Sequence, residues 1–166
     1  MKDFNSSIEH WIYNFLSIPS ATFNKLPPCP YAKKAWLDNT VKTHWLNDQF
    51  DIELLINAEI ENYTYHWPKN IEVVILGFDY NRIAAADLSE IINSTKPMLD
   101  KRGYIALEDH PLDPEEVQGV NLNQGDYGLV LLQEKSKLQT ARDWLETKDY
   151  YKNWSSEYKQ EVQNRE

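Results

Sequence analysis

The chain has 166 residues, 42% of them hydrophobic and 13% aromatic, and 26 acidic residues against 17 basic ones give a formal charge of -9. That content suffices for a core burying roughly two-thirds of the unfolded surface, so disorder is excluded and a single domain over 1–166 is expected. A lone cysteine rules out an internal disulfide and a thiolate-rich zinc site, and no window approaches the ~18 apolar residues of a membrane helix.

The negative balance repels phosphate backbones, so nucleic-acid binding is disfavoured, and neither Lys33-Lys34 nor Lys135 with Lys137 makes a patch large enough to reverse that field. The first residues, Met1 to Asn5, offer no apolar leader core and no small-residue cleavage site. With the single cysteine, this favours a cytoplasmic location.

Residues 3–17 read as an amphipathic helix, with Ile8, Trp11, Ile12, Phe15 and Leu16 on one face and Pro19 as its stop. Pro27, Pro28 and Pro30 stiffen the approach to a second helix through Ala32 and Trp36, which places Cys29 at its N-cap. Phe50 to Ile56 reads as a strand, and 62–67, where Tyr63, Tyr65 and Trp67 alternate with polar residues, as a second short one. Ile71 to Phe78 is the strongest strand, apolar on both faces and so central. A loop over Asp79–Ile83 leads into a helix from Ala84 to Lys101, in which Pro97 should bend or break the last turn, with Gly103 as the stop.

Tyr104 to Leu107 is a strand, followed by an acidic loop from Glu108 to Glu116 that continues to 126. Tyr127 to Gln133 is another central-looking strand, Leu138 to Glu146 a helix, and 149–164 a polar final helix carrying Tyr151, Trp154 and Tyr158 on one stripe. Strand–helix–strand over 71–107 implies a parallel crossover. The order predicts an α+β fold: a two-layer sandwich whose mixed four- to five-stranded sheet carries helices mainly on one face. A ferredoxin-like arrangement is compatible, except that a helix is missing between the first two strands.

Cys29 is the sharpest chemical feature. At a helix N-cap a thiol faces unpaired N–H groups and the positive end of the helix dipole, which favour thiolate, and Lys33 and Lys34 lie one turn along. A small buried thiol packing under a proline-rich turn is the competing reading. His110 follows a strand and has Asp109, Asp113, Glu115 and Glu116 close in sequence. It can be read as a general base, as one ligand of a metal with those acids, or as a ring capping a loop, and its spacing fits no defined metal motif. Asp79 and Arg82, at the end of the strongest strand, suit ligand contacts, and Asp79 equally suits a helix cap. The glycines fit no phosphate-binding loop, and H-E-x-x-H, G-x-S-x-G and C-x-x-C are absent, which disfavours nucleotide hydrolysis, zinc proteolysis and serine hydrolysis of the common kinds.

Cys29-Pro30-Tyr31-Ala32, after a helix, resembles the Cys-Pro-Phe-Ala signature of an uncharacterised bacterial family, a domain of unknown function, with Tyr in place of Phe at 31. His110-Pro111 after a strand and the run from Tyr127 through Gln133 into Leu138 match the same family, six positions over about 110 residues. The resemblance carries no activity and directs attention to Cys29 and His110.

Three functions are therefore open to the sequence. One is a small enzyme with catalytic Cys29 and His110 and with Lys33, Asp79, Arg82 and Asp109 as ligand-binding groups. Another is a non-catalytic interaction or accessory module, bacterial or phage, using aromatic surfaces around Tyr63, Tyr65, Trp67, Tyr151 and Trp154. The third is a metal-binding protein through His110 and its neighbouring acids. The sequence specifies no cofactor, and it admits either a small-molecule ligand or a protein partner.

Overall fold

The computed structural model describes residues 3–46 and 49–164; Met1 and Lys2, part of the stretch read for a leader, lie outside the described residues. Helix α1 (Phe4–Trp11) widens into a π-helical turn over Ile12–Leu16, where the Ser17 N–H donates to the Ile12 carbonyl at 3.0 Å. After the proline-rich turn come α2 (Ala32–Leu37), β1 (Val41–Trp45) and α3 (Ile52–Tyr65), then β2 (Val73–Phe78), α4 (Ala85–Arg102) and β3 (Tyr104–Asp109). A small hairpin of β4 (Glu116–Val117) and β5 (Val120–Asn121) sits in the acidic loop, followed by β6 (Gly128–Glu134), α5 (Lys135–Glu146) and α6 (Ser156–Asn164).

Two expected strands, Phe50–Ile56 and 62–67, are instead the two ends of one helix, α3. The Asp51 carboxylate accepts the N–H groups of Glu53 and Leu54 at 3.0 and 3.1 Å, capping its start. Ile52, Ile56, Ile60 and Tyr63 recur at helical spacing and are all buried. A short apolar run has no periodicity of its own, so the cap and the longer repeat decide between strand and helix. Within the main sheet the strand not expected is β1, whose Val-Lys-Thr-His-Trp pattern is too polar to stand out, and the β4–β5 hairpin lies in what reads as loop. The expected final helix over 149–164 begins only at Ser156. Pro97 leaves α4 unbroken, and the helix ends at Gly103, whose φ of 80° suits glycine.

The main sheet is mixed and four-stranded, in the order β1-β2-β6-β3. β1 runs parallel to β2, with Val41 opposite Val73 and Trp45 opposite Gly77. β6 lies antiparallel to both β2 and β3, so β2 and β3 point the same way but are separated by β6. The 71–107 unit is thus parallel in direction and split by an inserted strand. The fold is α+β, and the two strands read as central are the inner pair. A helix, α3, does connect the first two strands, and the parallel β1–β2 pair departs from an antiparallel ferredoxin-like sheet.

The two long crossover helices pack on one face. Ile56 and Ile60 of α3 and Leu88, Ile91 and Leu99 of α4 meet Val74, Leu76, Phe78, Val130 and Leu132 there. The opposite face is covered as well, by Phe4, Ile8 and Ile12 against Ile75 and Leu129. Gly77 makes this docking possible, because a Cβ built on it would fall 2.1 Å from the Phe4 ring. A satellite cluster of Phe23, Val117, Leu145 and Tyr150 binds the proline-rich segment to α5 and the chain after it.

Candidate functional site

Cys29 lies two residues ahead of Tyr31, the N-cap of α2, in a turn whose backbone is pinned by its own N–H donating to the Leu16 carbonyl at 2.9 Å. The residue is half-buried. Burial pushes its thiol above the ordinary value, and the backbone N–H groups of Tyr31 and Ala32 oppose this with a smaller effect. The expected lowering at a helix start is therefore reversed, because loss of water around sulfur outweighs two peptide dipoles. Above the turn, the Tyr150 hydroxyl donates to the Pro28 carbonyl, and its own ionisation is pushed up first by burial and then by Cys29. Lys33 is exposed and stands 5.4 Å over the Tyr13 ring, while the Lys34 ammonium pairs with Asp38.

His110 is buried in a different part of the fold. Its Nε2 faces the carbonyls of Tyr80 and Ile83 at 3.2 and 3.1 Å, and its Nδ1 accepts the Leu112 N–H at 3.2 Å. Two acceptors on one nitrogen and a backbone donor on the other fix the neutral Nε2–H tautomer. The lone pair that a substrate proton or a metal would take is thus engaged. Among the described residues, no three His, Cys, Asp or Glu side chains converge as a metal site requires. Leu16, Tyr31, Ala32 and Tyr150 hold or face Cys29, whereas Tyr80, Ile83 and Leu112 hold the His110 ring.

Asp109 gathers a network of its own. Its carboxylate accepts the Asn123 side-chain amide at 2.9 Å on Oδ1 and the Gln124 N–H at 2.9 Å on Oδ2. Burial nonetheless raises its pKa to about 6, the two hydrogen bonds holding it from going higher. Asn123 also donates to the carbonyls of His110 and Asp113 at 3.0 and 3.3 Å and accepts the Glu115 N–H at 2.7 Å. One amide thereby closes the whole acidic loop against the end of β3. Asn123 escaped sequence reading because a loop asparagine gives no periodic signal.

Asp79 acts as a cap, accepting the backbone and side-chain N–H groups of Asn81, both at 2.9 Å, at the start of a short turn over Tyr80–Arg82. The Arg82 guanidinium donates to the Phe50 carbonyl and so ties the loop after β1 to the loop after β2. Of the aromatics expected on a contact surface, Tyr63 is buried with its hydroxyl 3.2 Å from His44 Nδ1, and Trp67 stacks on Tyr104 at 4.7 Å. Tyr151 and Trp154 pack around the satellite cluster, and Tyr65 is the exposed member of the group.

A cleft with room for a ligand lies elsewhere. It measures about 890 Å³ and runs between α4, β3, the loop at 113–116 and α6. Among the described residues its lining carries six carboxylates, Asp100, Glu108, Asp113, Glu115, Glu116 and Glu161, and one lysine, Lys96. Glu108 accepts the Ser89 hydroxyl at 2.6 Å, Tyr158 of α6 donates to Glu115 at 3.1 Å, and Asp100 pairs with Lys135 at 3.0 Å. The acidic loop was visible in the sequence. Its convergence with α4 and α6 was not, because those segments lie about twenty to fifty residues away and meet only in the fold. No protein-family model, curated protein or solved structure matches this chain. No helix among the described residues is long and apolar enough to cross a membrane.

Proposed function

We propose that this protein is a non-catalytic recognition module whose cleft takes a cationic ligand or a cationic segment of a partner. The observation that carries this reading is the 890 Å³ cleft whose lining, among the described residues, holds six carboxylates and one lysine. Its size falls in the ordinary range for ligand sites, and low-dielectric walls lined by one sign of charge concentrate the opposite sign. The alternative, an enzyme built on Cys29 and His110, draws less support. It requires an ionised thiol beside an available imidazole, whereas the thiol is pushed towards its neutral form and both imidazole nitrogens are occupied.

Calorimetric titration of the full chain with spermine and with oligolysine tests the proposal. Binding is expected at low salt, weakening as salt rises. Charge reversal at two exposed lining residues, Glu116→Lys with Glu161→Lys, is expected to weaken it about tenfold while leaving the thermal melt in place. Equal binding of a fully acetylated oligolysine, or indifference to the double reversal, would overturn the reading.

A further inference from the structure

The cleft is bounded by an unpaired sheet edge, and this narrows what can occupy it. Among the described residues β3 is the last strand in the order and pairs on one side only, with β6. Five successive residues, Tyr104 to Glu108, all border the cavity. Side chains of a strand alternate between faces. Tyr104 and Ala106 belong to the layer packed by α4, and Glu108 reaches Ser89 on the same helix, so Ile105 and Leu107 point to the opposite face. A cavity that touches both sets runs along the strand's edge, where alternate N–H and C=O groups of an antiparallel strand point outward.

Resting on the recognition reading above, we infer that the occupant is an extended basic peptide that adds a fifth strand to β3. Such a strand satisfies the outward backbone groups of β3 by main-chain hydrogen bonding, the usual mode of β-augmentation. Five residues of strand span about 17 Å at ~3.3 Å per residue, which matches an edge bordered from 104 to 108. Lys or Arg side chains on that peptide meet Glu116 and Glu161 at the rim and Glu108 and Glu115 within the cleft. A second copy of this chain does not fit: pairing the two edges would set one acidic cleft against another, in a molecule of charge -9. Charge also protects natural edges from unwanted pairing, and the test separates that role from recognition.

The full chain, labelled with nitrogen-15, is titrated with a peptide of about ten alternating Lys and Val residues. A matched peptide carries N-methyl groups along one edge, and spermine serves as a cation without a backbone. At saturation, amide exchange at alternate positions within 104–108 is expected to slow at least about tenfold. Methylation is expected to weaken binding about tenfold through the loss of main-chain hydrogen bonds. Should the methylated peptide bind as tightly, with exchange at 104–108 unchanged and spermine displacing it, strand addition is wrong and cation recognition stands. Should no cationic probe bind, the acids are edge protection and both readings fall.

Discussion

The turn around Cys29 and the loop around Asp109 are built alike. Each holds an ionisable group out of water, each offers it two N–H donors, and in each the loss of solvation outweighs those donors. The results differ because the starting points differ. A thiol begins above neutrality, and a further rise leaves it neutral and inert under ordinary conditions. A carboxyl begins near 3.8, and a rise to about 6 brings its titration within two units of neutrality. The same desolvation therefore removes reactivity from the residue read as a nucleophile and confers pH sensitivity on one read as a ligand-binding acid.

The largest way to disturb this comparison is from the cysteine side. Phe23 is fully buried and stacks on Tyr150 at 5.3 Å, beside the proline turn. Phe23→Ala is expected to cost about 3–5 kcal/mol in urea unfolding and to speed alkylation of Cys29 as the turn opens. A loss under ~1 kcal/mol would mean that the satellite cluster does not hold the turn.

The Asp109 side has a definite sign. The folded state holds this proton more firmly than the unfolded chain, so folding stability attributable to Asp109 is greatest below about pH 4 and is lost as pH rises through about 6. The full difference is roughly 3 kcal/mol, from a shift of about two units. Unfolding of wild type and Asp109→Asn, compared between pH ~4 and ~7, isolates it. An identical pH dependence in both proteins would show that Asp109 keeps more water than the structure gives it.

Asn123→Ala removes the amide that bridges Asp109, His110, Asp113 and Glu115. A loss of about 2 kcal/mol is expected, with faster amide exchange through 110–124. Exchange confined to residue 123 itself would contradict its bridging role. The smallest effect belongs to Cys29→Ala, at about 1 kcal/mol or less. In the native protein iodoacetamide is expected to label Cys29 slowly, at a rate that climbs about tenfold between pH ~7 and ~8 as the small thiolate fraction grows. Fast labelling that stays flat over that interval would show a thiol already ionised and would restore it as a candidate nucleophile.

Much of the architecture was legible in the chain. β2 and β6 are apolar on both faces, which a strand can sustain only in the interior of a sheet, and they are the inner pair. α1 and α4 show the repeat of one-sided helices, and Gly103 marks a stop that its positive φ explains. The misread segments are those where local pattern is ambiguous. Ile52 to Ile56 is as apolar as a strand, and only the Asp51 cap and the recurrence at Ile60 and Tyr63 make it a helix. Val41 to Trp45 becomes a strand because β2 offers it hydrogen bonds, a reason that lies outside the segment.

The candidate site followed the same division. Residue types and local spacing singled out Cys29, His110, Asp79 and Arg82, and each has a structural partner that local pattern cannot reveal. Composition, hydrophobic periodicity and turn chemistry act over a few residues, and they settled the α+β class, the central strands and the acidic loop. Solvation and the meeting of distant segments depend on the whole fold. Only that fold decided that β6 would separate β2 from β3, that β3 would be left with an unpaired edge, and that carboxylates from Asp100 to Glu161 would gather beside it.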